Sequence, residues 1–268
     1  MPATQASEAN SPASDDFSTA WYSRCVAFLW QLAATILFFG GGAIVSPACW
    51  VVWKCSGGKA PPVKGQELLH SLFRFFINWL RTTRSLVMDD SGMESLRGVK
   101  GTIFVANHPS LVDAIFLVGL LPPVACIMRA NLLHNPILGG GARLAGYVTN
   151  ESGAALVRQA AAMIASGGNL LIFPEGTRTS SSQLHPFKHG FALIAVRTNA
   201  PVQTLVIDYR GQHLRKGQSL LIPSESPLRF RIRPGELLTA GPQETPRAFT
   251  DRVAQWYRDN PPATPSLP

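Results

Sequence analysis

A long stretch without charge near the N-terminus limits the folds open to this chain more than any other feature. No Asp, Glu, Lys or Arg occurs between Arg24 and Lys54. As one helix at 1.5 Å per residue, these ~29 residues would measure roughly 44 Å, longer than the ~30 Å hydrocarbon core of a bilayer. Three glycines at residues 40–42 and Pro47 divide the stretch into two pieces. We therefore expect either one tilted, kinked membrane span or a helical hairpin that enters one leaflet. A buried core helix is the alternative that this length without charge disfavours.

The residues that flank this stretch predict its orientation. Residues 1–18 are rich in Ala, Ser, Pro and Thr, and we expect them to be disordered. They lack the basic start and short apolar core of a cleavable signal peptide, so we expect the N-terminus to be retained. Lys54, Lys59 and Lys64 follow the stretch, whereas acidic residues precede it. The positive-inside rule then places the C-terminal bulk on the cytoplasmic side of a membrane, which we expect to be the inner or plasma membrane.

A second helix is predicted at residues 66–84, after a Gly- and Pro-containing linker. On a helical wheel its polar side chains share one narrow arc and apolar side chains fill the rest. The pattern suits a helix packed on a core, but Trp79 and the arginines of the polar arc favour a helix that lies on lipid. We assign residues 19–84 to a membrane-associated helical region. It contains five of the six tryptophans: Trp21, Trp30, Trp50, Trp53 and Trp79.

The charge balance indicates the class of partner. Lys plus Arg is 24 and Asp plus Glu is 16, so the formal net charge is +8 and the pI is about 9.7. An anionic partner fits this charge. Only 15% of residues are charged and 46% are hydrophobic, which favours a membrane surface over nucleic acid, because nucleic-acid-binding domains carry denser basic clusters. The four cysteines lack metal-ligand spacing, and we expect reduced, buried thiols and no metal.

From about residue 85 short strand-like runs alternate with helical runs. This order predicts an α/β fold with a mostly parallel central sheet flanked by helices. We expect the α/β domain at residues 85–260 and a loose tail at 261–268. The predicted strands are 86–88, 102–106, 124–128, 170–173, 202–207 and 228–232, and the predicted helices are 113–121, part of 131–144, 154–165, 191–198 and 246–259.

A histidine and an aspartate lie where the predicted strand at 102–106 gives way to an apolar helix. Residues 107–113 are Asn-His-Pro-Ser-Leu-Val-Asp. Ser110 and Asp113 match the Ser-x-x-Asp signature of a helix start, so a capping role would account for Asp113. His108 lies before the cap, and Asp113 in the first helical turn could reach back to an imidazole nitrogen. Such a contact would fix one tautomer and leave the other nitrogen as a base. The pattern alone leaves the structural and the catalytic role open.

Two further motifs carry charge at the ends of predicted elements. Residues 173–178 are Phe-Pro-Glu-Gly-Thr-Arg and follow an apolar strand. A glycine between a carboxylate and a guanidinium would let backbone N–H groups and an arginine converge on an anion. A Glu–Arg pair that stabilises a turn is an equally good alternative. Lys188 precedes the helix at 191–198 and adds positive potential at its N-terminus.

Together these blocks resemble those of the glycerolipid acyltransferases. The resemblance covers about residues 85–235 and implies a membrane-bound enzyme of phospholipid biosynthesis. Such an enzyme moves a fatty acyl group from acyl-CoA or acyl-carrier protein to a hydroxyl of a lysolipid, with no cofactor besides that co-substrate. The blocks that carry it are Asn107-His108-x-x-x-x-Asp113, Arg129 with Asn135-Pro-Ile-Leu-Gly139, Phe173-Pro-Glu-Gly-Thr-Arg178, Phe187-Lys188-x-Gly190 and Ala200-Pro201-Val202.

The resemblance also implies roles for the residues. His108 would take the proton from the acceptor hydroxyl as that oxygen attacks the thioester, and Asp113 would orient His108. No Gly-x-Ser-x-Gly nucleophile elbow occurs, which agrees with direct transfer without an acyl-enzyme. The acceptor site would be lined by Glu175, Gly176, Thr177 and Arg178, with Arg178 on an anionic headgroup. Arg129 and Lys188 would add positive charge for the acceptor or for the donor's phosphopantetheine.

One position departs from the family pattern. The family's second block has an arginine six residues after a glycine, and here the residue six after Gly146 is Ser152. In the family this arginine is implicated in holding the acceptor's phosphate, a strong bidentate contact. We therefore expect the acceptor to be either 1-acylglycerol-3-phosphate or another lysolipid, such as a lyso-aminolipid. Whether Arg143 or Arg158 replaces the missing charge stays open at this point.

Two other functions compete with acyl transfer. A lipid hydrolase or acyl carrier could use the same base with water, and a membrane-bound lipid-binding protein would need no catalysis. The joint presence of His108, Asp113, Glu175 and Arg178 favours the enzyme over the binding protein. Nucleic-acid binding is disfavoured because the basic residues are scattered and follow a membrane segment.

Overall fold

The computed structural model describes residues 13–150, 153–178, 184–210 and 227–263. Within these residues the chain forms seven α-helices and seven β-strands. The helices are α1 (Ala13–Cys55), α2 (Pro62–Thr82), α3 (Asp113–Leu120), α4 (Gly139–Leu144), α5 (Gly153–Ala165), α6 (Gly190–Thr198) and α7 (Pro246–Asp259). The strands are β1 (Leu86–Asp89), β2 (Ile103–Ala106), β3 (Val124–Met128), β4 (Val148–Thr149), β5 (Asn169–Ile172), β6 (Val202–Arg210) and β7 (Leu228–Leu238).

The strands form one sheet in the order β1-β7-β6-β2-β5-β3-β4. The five strands from β6 to β4 run parallel. β7 runs antiparallel to β6, and β1 runs parallel to β7. The predicted mostly parallel sheet is confirmed. The carboxyl ends of β2, β5 and β6 share one edge, which is where sites of α/β folds usually lie.

β2 is the most deeply buried strand near the middle of the sheet. All four of its residues are 0% exposed. Phe104 packs with Phe116 and Phe230 in the core that lies between the sheet and α2 and α3. Ile103 and Val105 belong to the second core, which the sheet shares with α5, α6 and α7. A strand buried on both faces requires a continuous apolar run, and this explains the sequence of residues 103–106.

One continuous helix occupies the uncharged stretch. α1 runs through the glycines at 40–42 and through Pro47 without a break. The hairpin within this stretch, one of the two expected arrangements, therefore does not form. The helix begins at Ala13, inside the region predicted to be disordered, and residues 1–12 of that region lie outside the described part of the chain.

α1 forms a hairpin with α2 instead. The rings of Trp30 and Trp79 meet edge to face with centroids 6.0 Å apart, and the centroids of Phe38 and Phe76 are 5.6 Å apart. The later residue of α1, Phe38, contacts the earlier residue of α2, Phe76, so the two helices run antiparallel. The predicted helix at 66–84 corresponds to α2, which begins four residues earlier, at Pro62. α2 also packs on α3, where the His70 Nδ1 lies 3.1 Å from the Val118 carbonyl oxygen.

The second half of α1 packs closely on α4. The Gly140 N–H donates to the Ser46 hydroxyl at 2.9 Å. A Cβ atom at Gly140 would lie 1.8 Å from the Ser46 carbonyl oxygen, and one at Gly42 would lie 2.3 Å from the Ile137 side chain. Glycine at these two positions therefore allows the close approach of α1 and the α4 region.

The outward face of α1 is apolar. Residues 28–55 are long and apolar enough to cross a membrane. Large exposed apolar side chains of this kind are unusual on a surface that meets water. They are Phe28, Leu29, Trp30, Leu32, Ile36, Phe39, Ile44, Trp50, Val51 and Val52.

Candidate active site

β2 delivers the candidate catalytic residues to the carboxyl edge of the sheet. Immediately after the strand, the Asn107 side chain donates to the Ile207 carbonyl oxygen at 2.9 Å and accepts from the Ile207 N–H at 2.8 Å. This amide thereby extends the pairing of β2 with β6 by one step. His108 is the next residue, so its backbone leaves the sheet from a fixed point.

His108 and Asp113 form the pair that the spacing predicts. The His108 Nδ1 lies 2.8 Å from the Asp113 Oδ2. The Asp113 side chain is 0% exposed, whereas the His108 side chain is 19% exposed. A buried carboxylate thus orients the imidazole of a partly exposed histidine.

Ser110 contributes two further donors to Asp113. Its backbone N–H lies 2.7 Å from the Asp113 Oδ2, and its hydroxyl donates to Oδ1. The predicted capping box is therefore only half formed. The carboxylate reaches back to a backbone N–H as expected, but the Ser110 hydroxyl bonds to the carboxylate, and the N-cap residue is Val112. The buried Asp113 side chain thus contacts three donor groups, the His108 ring nitrogen and the backbone N–H and hydroxyl of Ser110.

Phe173 supports the imidazole from the neighbouring strand. Its ring stacks on the His108 ring with centroids 4.2 Å apart and planes inclined by 23°. Phe173 follows β5, which pairs with β2, so the two rings meet across adjacent strand ends. In the sequence Phe173 only opens the charged motif at 173–178, since sequence spacing gives no signal for a ring contact between strands.

Glu175 connects the loop that contains His108 with the loop that contains His185. Its carboxylate is buried, and it accepts the His108 N–H at 3.2 Å and the His185 N–H at 3.0 Å. The sequence predicts that Glu175 lines the acceptor site. The geometry gives it a different contact, with the backbone of the candidate base, and direct contact with the acceptor stays a prediction.

The loop after Glu175 needs a glycine. Gly176 has φ +65°, in the left-handed region that favours glycine. A Cβ atom there would lie 2.7 Å from the Lys188 Nζ, so the Lys188 side chain passes over Gly176. Thr177 and Arg178 follow and are half-buried. The structure therefore brings Gly176 and Lys188 together beside the loop that holds His108.

The other positions considered for phosphate binding lie on different elements of the fold. Arg129 is exposed at the carboxyl end of β3, two strands from β2. Ser152 lies outside the described residues. Arg143 packs over the Trp53 ring of α1 at 5.6 Å, and Arg158 is exposed on α5. The Trp53 contact engages Arg143 with α1.

Three of the cysteines lie on α1, and Cys126 lies on β3. All four are free thiols. Cys49 and Cys126 are buried as predicted, but Cys55 is exposed and Cys25 is partly exposed. Burial raises the pKa of Cys126 to about 12. In the described part of the chain, no group of three His, Cys, Asp or Glu side chains is placed to hold a metal ion.

Residues 88–208 match the family model described as Acyltransferase. The matched region contains the His108–Asp113 pair, Phe173 and the loop at 175–178. This part of the chain is therefore similar to the acyltransferase family.

Named relatives with similar sequences act on lysolipids. The 1-acyl-sn-glycerol-3-phosphate acyltransferase of Cocos nucifera is 34% identical over 119 residues, which is 42% of this chain and 38% of that protein. The lyso-ornithine lipid O-acyltransferase of Pseudomonas aeruginosa is 35% identical over 124 residues, or 45% of this chain and 48% of that protein. The matches span less than half the length of either relative.

The fold has a counterpart among solved structures. The 1-acyl-sn-glycerophosphate (LPA) acyltransferase PlsC from Thermotoga maritima superposes with a TM-score of 0.61 at 21% sequence identity. The match covers 89% of this chain and 96% of that one. The N-terminal helices and the α/β domain therefore belong to one known architecture.

Proposed function

We propose that this chain is an O-acyltransferase that moves a fatty acyl group from acyl-CoA or acyl-carrier protein to a hydroxyl of a lysolipid. One observation carries the proposal. A fully buried Asp113 carboxylate lies 2.8 Å from the Nδ1 of the partly exposed His108, within the region that matches the acyltransferase family. This arrangement is suited to general-base catalysis.

The proposed mechanism follows from the donors and acceptors of the pair. An ionised carboxylate only accepts hydrogen bonds, so the imidazole proton lies on Nδ1 and the Nε2 lone pair is free. Nε2 removes the proton from the acceptor hydroxyl while its oxygen forms a bond to the thioester carbonyl carbon. The tetrahedral intermediate then expels the thiolate, and the C–S bond breaks. The thiolate takes the proton from His108, which returns to its neutral form.

Positive charge near this edge suits the substrates. Both donors carry phosphopantetheine, and a phospholipid acceptor carries phosphate. Lys188 passes over Gly176 beside the loop that contains Arg178, and Arg129 ends a nearby strand. We assign Arg178 to the acceptor headgroup, and Lys188 and Arg129 to phosphate groups of donor or acceptor.

Two acceptor classes follow from different observations. The sequence similarity to 1-acyl-sn-glycerol-3-phosphate acyltransferases supports a lysophosphatidic acid acceptor. A lyso-aminolipid is supported by Ser152, which stands where the family pattern has its phosphate-binding arginine, and by the similar lyso-ornithine lipid O-acyltransferase. A zwitterionic amino-acid headgroup would not require that arginine, because it has no phosphate.

We further propose that α1 and α2 hold the domain on a membrane, with the domain on the cytoplasmic side. The apolar outward face of α1 supports membrane contact, and Lys54, Lys59 and Lys64, which follow the uncharged stretch, support the orientation. An enzyme with lipid acceptors gains from this location because its acceptor stays in the bilayer.

An acceptor screen tests the function. The full-length protein is incubated with labelled acyl-CoA or acyl-carrier protein and with lysophosphatidic acid, lyso-ornithine lipid or no acceptor. His108→Ala is the control, and we expect its rate of transfer to fall by about 10³-fold or more. Labelled fatty acid released without acceptor would indicate a hydrolase. Full transfer by His108→Ala, or none by the wild type with any acceptor, would contradict the proposal.

A further inference from the structure

A tyrosine from the last helix reaches the strand that carries His108. Tyr257 lies on α7, beyond the region that matches the acyltransferase family, and is 0% exposed. Its hydroxyl lies 2.8 Å from the Val105 carbonyl oxygen on β2 and 2.9 Å from the Leu205 carbonyl oxygen on β6. The Leu205 N–H points to the same hydroxyl at 3.4 Å. One side chain therefore joins two adjacent strands.

The hydroxyl lies where the sheet is irregular. The pairing of β6 with β7 shifts register between Gln203 and Leu205. Such a shift disturbs the regular ladder and leaves backbone groups in need of other partners. A hydroxyl both donates and accepts, so Tyr257 can bond to a carbonyl and a backbone N–H together. The aromatic ring reaches this point from outside the sheet because α7 packs on the same face as Ile103 and Val105.

The Tyr257 contacts immediately precede those of Asn107. Two residues beyond Val105 and Leu205, the Asn107 amide bonds to both backbone groups of Ile207. The end of the β2–β6 seam is thus held by two side chains in succession. His108 is the first residue after that seam, so the position of its backbone depends on both.

Tyr257 also lies beside the loops that surround the site. The rings of Phe187 and Tyr257 meet edge to face with centroids 5.3 Å apart, and Phe187 adjoins Lys188. Burial raises the pKa of Tyr257 above its usual value, and the charge of Glu175 adds to the increase. The hydroxyl therefore remains a neutral donor, close to the carboxylate that accepts the His108 N–H.

We propose that Tyr257 is a positioning residue for His108, which it holds through the carboxyl end of β2 and the adjacent part of β6. The expected effect on kcat rests on the proposed acyl transfer. The role of Tyr257 in holding the two strands together rests on its hydrogen bonds alone. It makes α7 a component of the active site, although α7 contributes no group to the reaction.

Tyr257→Phe tests this role because it removes the hydroxyl and keeps the ring. We expect kcat to fall by about ten- to a hundredfold with KM unchanged, since displacement of a catalytic group by about 1 Å costs up to 10²-fold in rate. Val253→Ala is the matched control, because Val253 is also fully buried on α7 but belongs only to the apolar core. This control should lower the Tm and leave kcat unchanged.

Backbone hydrogen exchange separates this inference from the proposed function. In Tyr257→Phe the amides of Leu205 and Ile207 should exchange at least tenfold faster than in the wild type and in Val253→Ala. Unchanged exchange overturns the inference, as does a kcat equal to that of Val253→Ala. If the wild type transfers no acyl group and exchange still increases in Tyr257→Phe, the proposed function fails and the mechanical role of Tyr257 stands.

Discussion

The buried Asp113 carboxylate receives three hydrogen bonds, so its chemistry depends on what these donors require. Asp113→Asn would turn an amide NH₂ toward one donor and would favour the tautomer with the proton on the His108 Nε2. That nitrogen could then not accept a proton from the acceptor hydroxyl. We expect kcat to fall by about 10³-fold or more while the fold is kept, because the analogous change in serine proteases costs about 10⁴-fold. Acyl transfer rates and circular dichroism check this outcome.

Ser110→Ala is the matched control for this substitution. It removes the hydroxyl donor to Asp113 and leaves both the carboxylate and the Ser110 backbone N–H in place. The loss of kcat should therefore stay within about tenfold, the equivalent of one hydrogen bond. Equal losses of kcat in Asp113→Asn and Ser110→Ala would show that catalysis does not depend on the charge of Asp113 or on its role as a hydrogen-bond acceptor.

The buried Cys126 thiol makes stability depend on pH. Burial raises its pKa from 9.0 to about 12, so the folded protein keeps the proton that the unfolded chain loses first. This contribution to stability is complete below pH 9 and is lost as the pH rises toward 12. We expect Cys126→Ala to reduce the fall in unfolding free energy across pH 9.5–11 by about 1.4 kcal/mol per pH unit. Urea unfolding at several pH values measures this slope, and the exposed Cys55 supplies the control variant Cys55→Ala, which should leave it unchanged.

At the residue scale, the sequence predicts local pairs and misses distant ones. His108 and Asp113 are five positions apart across a helix start, so their contact follows from local geometry. Glu175 bonds to the His108 N–H from a distance of 67 residues in sequence, and Phe173 reaches the imidazole from the next strand. These contacts depend on which strands are neighbours, and the spacing of motifs does not determine strand order.

At the scale of elements, the glycines between α1 and α4 determine how the N-terminal helix is attached. Gly140→Ala would place a Cβ atom against the Ser46 backbone. Because the clash is with backbone atoms, no change of side-chain rotamer can relieve it. We expect a loss of about 1–3 kcal/mol in stability, as for other overpacked interfaces. Thermal unfolding measures this loss. Gly40→Ala is the control, since nothing lies within 4 Å of that position, and it should be neutral or stabilising.

The predicted elements differ from the observed ones where packing decides the outcome. The strand at 124–128 and the helix at 246–259 have the predicted bounds, because their apolar patterns are long and the turns around them are clear. β4 is two residues long and carries no such pattern. The division of α1 at residues 40–42 was wrong because glycine lowers helix propensity only modestly, and here Gly42 and Gly140 gain close packing.

At the scale of the whole molecule, α1 is attached to the domain along most of its apolar length. Its contacts begin at Trp30, whose ring meets Trp79 of α2, and extend to Trp53, whose ring lies under Arg143 of α4. A helix that crossed the bilayer in this state would carry α4 and the charged side chains of α2 into the hydrocarbon, at several kcal/mol for each charge. The packing therefore favours a helix that lies along one leaflet with only its outward face in lipid.

Two native cysteines test this arrangement, since Cys25 lies near the start of the apolar stretch and Cys55 ends α1. Their separation of roughly 45 Å along the helix exceeds the ~30 Å hydrocarbon core. If α1 lies in one leaflet, a membrane-impermeant maleimide added from the cytoplasmic side should label single-cysteine variants at both positions. A spanning helix would expose them on opposite sides, and labelling of Cys25 only after the membrane is permeabilised would contradict the one-leaflet arrangement. Labelling in detergent supplies the maximum for each thiol, so that slow reaction of the partly buried Cys25 is not mistaken for protection by the bilayer.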